Sequence, residues 1–436
     1  MKSISQANTD YSAAAAQGIN LVLPGQSSLA EPSGHTAVQK SVAVPKHSGA
    51  SEVRVMEIRT LDELRSIRST WLSLLEQTTG ADFFQTPYWL ETYFEHHSVN
   101  QELRVLVVFS GDQPTGILPL VVAPYSCSLG QFRVLTYPLD WWGTFYGPIG
   151  PDPVQTLRAG LAHIKQQPKD WDFLELRFVE ADALVEADAL ASETESSDAT
   201  LDSLKSEGFK SVVKEAQFNC ARISLPNSWE EYLAYRRKSW KTNIRRTENK
   251  TKKLGEVEHI RYRPAGTSSG EDDPRWDWFD ECSRLSKLSW QGKSDNTTTF
   301  AHPEVDAFLR SLHQRAVEVG CVDMNLLLVD GKAVAYHYGY HWQGYFSSLR
   351  LGFDPQFSKQ GVGTVLTSRM IQDSIVRGDH TFDFLPDCLK AKLPWQTSVD
   401  VGYRYTHFPS SFGRTGLLKL KRWFDREVRK KSIVAT

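Results

Sequence analysis

Residues 322–386 read VDMNLLLVDGKAVAYHYGYHWQGYFSSLRLGFDPQFSKQGVGTVLTSRMIQDSIVRGDHTFDFLP, and this stretch decides the fold class. Its pattern predicts a strand, a tight turn at Asp330-Gly331, two further strands, a glycine-containing loop, a helix over 365–376 and a last strand over 381–385. The loop reads Ser358-Lys359-Gln360-Gly361-Val362-Gly363-Thr364. Strands and a helix in this order are typical of an α/β domain.

The position of this loop indicates an anion site. The first backbone N–H groups of a helix have no partners within the helix, and they lie at the positive end of its dipole. They can therefore hold a pyrophosphate or another anion. Gly361 and Gly363 carry no Cβ that would keep a ligand from the backbone. A glycine pair also occurs in such loops by chance, so the alternative is a plain connecting loop.

Composition excludes several classes of protein. The chain has 436 residues, 40% hydrophobic and 23% charged, which fits two or three ordinary globular domains. A net charge of −2 gives no overall attraction to nucleic acid or to an acidic membrane. Five cysteines without a C-x-x-C pair favour reduced thiols in the cytoplasm. We expect no metal site, no signal peptide and no membrane span.

The chain divides into five parts. Residues 1–50 are rich in Ser, Ala and Gly and predict a disordered tail. Residues 181–202 contain seven acidic residues and no basic residue, which favours a solvated linker or insertion. The segments on either side, 53–180 and 203–410, predict the same order of helices and strands, so we interpret them as a duplicated α/β domain. Residues 411–436 predict a basic amphipathic helix.

The ordered motifs of both halves carry a family resemblance. The chain resembles the GNAT-type acyltransferases, in the branch with two fused GNAT-like domains that contains the FemAB-like transferases and the CelD-like proteins of bacterial cellulose biosynthesis. The resemblance covers about 55–408 and rests on these motifs: Phe83-Phe84-Gln85-Thr86-Pro87-Tyr88-Trp89, Gly116-Ile117-Leu118-Pro119-Leu120, Asp140-Trp141, Asn243-Ile244-Arg245-Arg246, Ser289-Trp290-Gln291-Gly292, Phe353-Asp354-Pro355-Gln356-Phe357, Phe382-Asp383-Phe384-Leu385 and Lys392-Leu393-Pro394-Trp395.

The resemblance implies a fold, an activity and a location. The fold is α/β, with tandem GNAT-like (acyl-CoA N-acyltransferase) domains whose mixed sheets are flanked by helices. The activity is transfer of an acyl group, in the first place acetyl from acetyl-CoA, to an amine or hydroxyl of a cell-envelope or polysaccharide-related acceptor, without a metal. The location is the bacterial cytoplasm, with or without peripheral contact at the inner face of the membrane.

Two alternatives stay open at this point. One is a FemAB-like transferase that uses aminoacyl-tRNA as donor and a peptidoglycan precursor as acceptor. The other is a non-catalytic binding module that keeps the fold. Ser358 favours the second alternative, because it stands where the GNAT loop usually has a long polar side chain.

The resemblance assigns the donor to the loop before the helix. Its phosphates would be held by Gln360, Gly361, Val362, Gly363 and Thr364. Lys392 is a further candidate for an anionic donor, with a surface lysine as the alternative.

Three residues are candidates for the catalytic base. His337 has a suitable ordinary pKa, but a buried, hydrogen-bonded histidine is the alternative. Asp354 precedes a proline and fits a turn equally well. Asp383 lies in an apolar strand, where a carboxylate is costly unless it is paired, so it either pairs with Lys392 or lines the pocket.

An aromatic loop in the first half is the candidate acceptor site. Asp140, Trp141 and Tyr146 lie in it, and Trp290 has a similar setting in the second half. Aromatic faces with polar handles suit sugar or peptide pockets, whereas the alternative is a loop that packs into the core. The following segment, Gly147-Pro148-Ile149-Gly150-Pro151, lacks two backbone donors because of its prolines. We therefore expect the donor in the second half and the acceptor between the halves.

Two basic segments remain. Residues 236–253 and 417–431 both combine basic residues with an apolar stripe at helical spacing. The first predicts either a solvated helix or a site for a phosphorylated donor, tRNA included. The second predicts a helix that packs on the body or a partner, or one that lies on an anionic membrane surface.

Overall fold

The computed structural model describes residues 52–180, 198–293, 299–386, 388–409 and 413–434. The predicted tail, 1–50, lies outside these residues, and so does most of the predicted linker, 181–202. The last residues of that linker begin a helix at Ala199. The extents of the domains, 53–180 and 203–410, stay a prediction.

The first half contains five strands and four helices among the described residues: β1 Val53–Ile58, α1 Leu61–Ser66, α2 Arg68–Glu76, α3 Pro87–His97, β2 Glu102–Ser110, β3 Gln113–Cys127, β4 Gly130–Thr136, α4 Pro153–Gln166 and β5 Phe173–Glu180. The helical region 61–76 is broken at Ile67, whose φ of −103° and ψ of 10° end α1 and start α2.

The second half follows the same plan with additional elements: α5 Ala199–Ser206, β6 Val212–Ser224, α6 Trp229–Ala234, α7 Lys238–Thr251, β7 Val257–Tyr262, α8 Trp276–Leu288, α9 Asp306–Glu318, β8 Val322–Val329, β9 Lys332–Trp342, β10 Tyr345–Phe353, α10 Val362–Val376, β11 Thr381–Asp383, α11 Leu389–Lys392, β12 Ser398–His407 and α12 Gly413–Val434.

All these strands form one 12-stranded sheet in the order β1-β2-β3-β4-β5-β12-β6-β11-β10-β9-β8-β7. In the first half β1 to β4 are antiparallel and β5 is parallel to β4. In the second half β7 to β10 are antiparallel and β11 is parallel to β10. The α/β class with a mixed sheet flanked by helices is confirmed.

The two halves complete each other's part of the sheet. Strand β12, near the end of the chain, pairs with β5 of the first half and also with β6. Strand β6 in turn pairs with β11 of the second half. Neither β6 nor β12 was predicted from the sequence, and together they make the sheet continuous.

The halves also share a hydrophobic core. Phe83 of the first half stacks on Tyr340 of β9, with ring centroids 4.3 Å apart. Phe308 of α9 receives the edges of Trp89 and Trp142 at 5.7 and 4.9 Å. Burying a large side chain of this kind contributes roughly 1.5–3 kcal/mol. These contacts make the junction between the halves a packed interior.

Strands β10 and β11 pair only briefly before they separate. Their parallel pairing covers 345–347 against 381–383. Beyond it, β10 has an irregular register between Ser347 and Arg350, and β11 ends at Asp383. The two strands are therefore unpaired beyond Ser347 and Asp383, which leaves a gap between them toward Phe353 at the end of β10. The start of α10 lies beside this end, because a Cβ on Gly363 would lie 3.1 Å from the ring of Phe353.

Candidate active site

The start of α10 has the geometry expected of an anion site. Gly361 has a φ of +76°, which favours glycine, and directly precedes the helix. Glycine has no side chain that could cap the helix. The first N–H groups, at Val362, Gly363 and Thr364, therefore have no capping partner on residue 361. The sequence expectation placed the helix start at residue 365, three residues late.

Helix α7 lies directly against this start. The Thr251 hydroxyl donates a 3.1 Å hydrogen bond to the carbonyl oxygen of Gln360. A Cβ on Gly361 would lie 2.4 Å from Cγ2 of Thr247, so the close approach of α7 is a second reason for glycine there. Trp240 and Ile244 pack into the core beneath α7.

The polar face of α7 points away from α10. Helical periodicity of 3.6 residues per turn places it opposite Thr247 and Thr251. This face lines a surface depression of about 450 Å³ with Thr242, Arg245, Arg246, Asn249, Lys250 and Lys253. The amphipathic helix expected over 236–253 therefore exists, and its basic groups form a separate, solvent-facing surface.

Lys392 is engaged elsewhere in the second half. Its ammonium group donates to the carbonyl oxygens of Phe384, Leu385 and Pro386 at 2.7, 3.0 and 2.9 Å. This fixes the chain directly after β11. Its assignment to the donor phosphates stays a prediction.

Asp383 is the centre of a buried polar cluster between the halves. It is fully buried and accepts hydrogen bonds from the Thr144 hydroxyl at 3.1 Å, the Tyr345 hydroxyl at 2.7 Å and the Leu385 N–H at 2.7 Å. The thiol of Cys220 donates to it at 3.0 Å. Four donors offset the cost of burying this carboxylate.

A second carboxyl group, Asp82, lies in the same cluster and was missed in the sequence. Asp82 caps the short helix Phe83–Gln85 by accepting from the Phe84 N–H at 2.9 Å. Its other oxygen lies 3.5 Å from the hydroxyl of Ser347, which pairs with Asp383 across the sheet. Burial first, and then the charge of Asp383, raises the pKa of Asp82 to about 8. The capping pattern before Phe83-Phe84 was the only sequence signal for this residue.

Tyr146 adds an unsatisfied hydroxyl to this region. The side chain is buried, and its hydroxyl has no hydrogen-bond partner within the described part of the chain. Burial, with a smaller contribution from the charge of Asp82, raises the pKa of Tyr146 well above its ordinary value. Buried hydroxyls normally have a partner, so this one is an exception.

The backbone around the cluster is strained. Bulky residues with a positive φ occur at Trp141 (69°), Phe178 (64°) and Leu385 (58°), and Asp140 has a φ of 44°. The Tyr146 N–H bonds the carbonyl oxygen of Phe178 at 2.9 Å, and the edge of Trp141 meets Phe178 at 5.3 Å. Left-handed conformations in such residues cost roughly 1–3 kcal/mol each and concentrate at functional sites.

His337 lies on the opposite face of the sheet from Asp383. Successive side chains of a strand alternate between faces. Phe346 and Phe382 pack with α10, and the ring of His337 lies 5.9 Å from Phe382 on that side. Its Nδ1 is 2.7 Å from Met370 Sδ, its Nε2 contacts the Ser348 hydroxyl, and burial lowers its pKa to about 3. These features favour a packed, neutral histidine over a base.

The remaining candidates are dispersed. Asp354 caps the short helix Pro355–Gln360 by accepting from the Gln356 N–H at 3.0 Å, which fits the turn alternative. Trp290 is 53% exposed in the turn Trp290–Lys293. Asp140 lies near Arg177, with 3.9 Å between Oδ1 and Nη1. The roles proposed for all of these residues stay predictions.

Two searches of the described residues give negative findings. No group of three or more His, Cys, Asp or Glu side chains there could hold a metal ion. None of the described helices combines the length and the apolar content needed to cross a bilayer.

Comparison with known proteins gives a family for the second half. Residues 238–395 match the family model described as an acetyltransferase (GNAT) domain. This range contains α7, α10 and Asp383. None of the curated proteins matches the sequence.

Solved structures with a similar fold cover most of the chain. The crystal structure of FemX is similar with a TM-score of 0.55 at 12% identity, over 84% of this chain and 99% of FemX. A tandem GNAT protein from the clavulanic acid biosynthesis pathway matches with a TM-score of 0.42 at 11% identity, over 83% of this chain and 100% of that chain. The C-terminal domain of a putative lysylphosphatidylglycerol synthetase from Agrobacterium fabrum gives 0.46 at 9% identity, over 83% and 95%. Of the three, only FemX has a TM-score above 0.5, so the similarity of fold rests on FemX.

The family model and the fold agree with the resemblance of the motifs. The chain therefore contains a GNAT-type acetyltransferase domain at residues 238–395, and its overall fold is similar to that of FemX.

Proposed function

We propose that this protein transfers an acyl group, acetyl in the first place, from acyl-CoA to an amine or hydroxyl of a cell-envelope or polysaccharide-related acceptor in the cytoplasm. The observation that carries the proposal is the gap between β10 and β11. The uncapped start of α10 lies on one face of the sheet and the polar cluster around Asp383 lies on the other, so a donor that passed between the unpaired strands would reach both.

This arrangement suits a long donor with an anionic end and a reactive end. The N–H groups of Val362, Gly363 and Thr364 would hold the pyrophosphate. The pantetheine arm would follow the gap, so that the thioester reaches the cluster between the halves. A backbone N–H of the diverging strand would stabilise the oxyanion of the tetrahedral intermediate.

The cluster supplies a base for the acceptor. An attacking ammonium group must first lose a proton, and a base with a pKa near the working pH does this best. Asp82, with its pKa raised to about 8, has that property, while Asp383 stabilises positive charge nearby. The neutral amine then attacks the thioester carbonyl, the C–S bond breaks, and the CoA thiolate leaves and takes up a proton. Tyr146, Trp141 and Asp140 would position the acceptor.

Two buried carboxyl groups favour an acceptor that is a cation before it reacts. An amine is therefore a better candidate than a hydroxyl. The cell-envelope or polysaccharide context comes from the resemblance to FemAB-like and CelD-like proteins.

Thermal unfolding with a panel of ligands tests the donor. A ligand that binds only the native state stabilises it by about 2.7 kcal/mol at a concentration 100 times its Kd. We expect acetyl-CoA and CoA to raise the Tm. The rise produced by longer acyl-CoAs should depend on how well the acyl chain fits the gap between β10 and β11. No shift with any CoA, at concentrations up to the millimolar range, would refute an acyl-CoA donor.

A second candidate is the FemAB-like use of an aminoacyl-tRNA donor. The observation that favours it is the basic face of α7, which points to solvent on the side away from α10. A surface of this kind suits a polyanion larger than CoA. Binding of tRNA, together with no rise in Tm on addition of any CoA, would favour this candidate over the first.

A further inference from the structure

Helix α12 is held on the body of the protein by one of its faces. Leu418 is buried in a small cluster with Phe132, Phe173 and Phe408. Arg422 forms an ion pair with the buried carboxylate of Glu175. At the start of the helix, Arg414 donates a 2.8 Å hydrogen bond to the carbonyl oxygen of Gln131. These contacts fix the rotation of the helix about its axis.

The outward face of α12 is apolar. Leu417, Leu420, Trp423 and Phe424 are 56%, 50%, 47% and 53% exposed. At 100° per residue these four positions fall within one arc of about 120°, opposite Leu418 and Arg422. The rings of Trp423 and Phe424 lie edge to face at 4.9 Å. Four large apolar side chains on one exposed stripe mark an interaction surface.

The charge of this segment identifies the kind of partner. Residues 413–436 contain eight of the 50 Lys and Arg residues but only two of the 52 Asp and Glu residues. The rest of the chain therefore has 42 basic and 50 acidic residues and is net acidic. Lys419 and Lys421 lie on either side of the apolar stripe. The surface is thus apolar in its middle, with Lys419 at one edge and Lys421, which pairs with Asp425 at 2.9 Å, at the other, on a body of opposite charge.

We propose that the outward face of α12 binds the surface of an anionic lipid bilayer. Apolar side chains, with Trp among them, enter the interface between headgroups and acyl chains, while flanking basic residues meet the anionic headgroups. A nucleic acid would use the charges and leave the apolar stripe in water. Since Leu418, Arg422 and Arg414 fix the helix, binding would hold the whole body in one orientation on the membrane. This inference is independent of the acyl donor.

Sedimentation with lipid vesicles tests the proposal on the full-length protein. We expect binding to vesicles of phosphatidylcholine with about 30% phosphatidylglycerol, at least tenfold weaker binding to pure phosphatidylcholine, and loss of binding at high salt. The double substitution Leu420→Ser with Phe424→Ser should abolish binding, and Lys419→Gln with Lys421→Gln should weaken it several-fold. Both variants leave Leu418 and Arg422 in place and should keep the wild-type Tm.

Val376→Ser is the matched control, because Val376 is 85% exposed at the end of α10 and lies outside the stripe. It should bind vesicles like wild type. Absence of wild-type binding to anionic vesicles would overturn the proposal. So would unchanged binding of the Leu420→Ser, Phe424→Ser variant, or an equal loss in the Val376→Ser control.

Discussion

The hydroxyl of Thr144 donates a 3.1 Å hydrogen bond to Oδ1 of Asp383, and these two residues come from opposite halves of the chain. Both are buried. The polar centre of the molecule is therefore built by the two halves together. A transferase in which one half binds the donor and the junction receives the acceptor needs a site of this kind, so the account can be tested at several points.

The pH dependence of the free energy of unfolding should include a contribution from Asp82. Its folded pKa of about 8 lies above the ordinary value of about 3.9. Its contribution to stability is therefore fully present below about pH 4 and is lost as the pH rises through about 8. We expect Asp82→Asn to be less sensitive than wild type to pH across this window in chemical unfolding. The same variant should lower kcat and remove a rise in rate near pH 8.

The control for this variant is Asp152→Asn. Asp152 also caps a helix, by accepting from the Gln155 N–H at 2.8 Å, but it is exposed. It should leave both pH profiles unchanged. If Asp82→Asn keeps the wild-type rate at every pH, Asp82 is not the base.

The basic face of α7 should bind polyanions such as tRNA rather than CoA. The triple substitution Arg245→Gln, Arg246→Gln and Lys250→Gln removes three charges opposite the side that contacts Gly361. We expect the Kd for acetyl-CoA to change by no more than about twofold. Any tRNA binding should weaken, and the slope of log K against log salt concentration should become less steep by roughly 0.7–0.9 for each lost phosphate contact.

Arg158→Gln is the comparison for this variant, because Arg158 is exposed on α4 in the other half. Titration calorimetry and filter binding give the two affinities. A large loss of acetyl-CoA affinity in the triple variant alone would place a donor phosphate on α7.

Substitutions in the aromatic loop should impair use of the acceptor and leave donor binding unchanged. We expect Asp140→Ala and Trp141→Ala to raise the KM for the acceptor or to lower kcat, with acetyl-CoA affinity unchanged. Trp141→Phe should retain more activity, because it keeps an aromatic edge against Phe178 and Phe218. If these variants lose CoA binding instead, the two halves have the opposite roles.

Unfolding should be a single cooperative transition. Strand β12 pairs with β5 of the first half at five positions and with β6 of the second half at ten, and the core is shared. We therefore expect one calorimetric transition for the residues from 52 onward, and no stable fold for residues 52–190 expressed alone. Two separated transitions would show that the halves fold as independent domains.

The sequence predicted those features that depend on local patterns. The turn Asp330-Gly331 has φ values of 48° and 76°, which suit the predicted hairpin between β8 and β9. Local patterns also located the end of α10 at Val376 and the start of β11 at Thr381. Such patterns are fixed by neighbouring residues and can be read without knowledge of the rest of the fold.

Features that depend on distant pairing were not predicted. Strand β6 reads VVKEAQFNCARIS and β12 reads SVDVGYRYTH, with polar residues among the apolar ones. Their partners lie up to 233 positions away in sequence, as Leu174 opposite His407 shows. Asp82 was missed for the same reason, because only the fold brings it beside Ser347. His337 and Asp383 could not be assigned to opposite faces until the sheet was known.

Calorimetric titration of acetyl-CoA into wild type and Gly363→Val tests whether the start of α10 binds the donor. A Cβ on Gly363 would lie 3.1 Å from the ring of Phe353, so Gly363→Ala, which the ring can accommodate by a small shift, serves as the milder companion. We expect wild type to bind, Gly363→Ala to bind more weakly, and Gly363→Val to show no measurable binding while retaining a cooperative thermal transition. A folded Gly363→Val variant that binds acetyl-CoA as tightly as wild type would contradict the assignment of the donor to the start of α10.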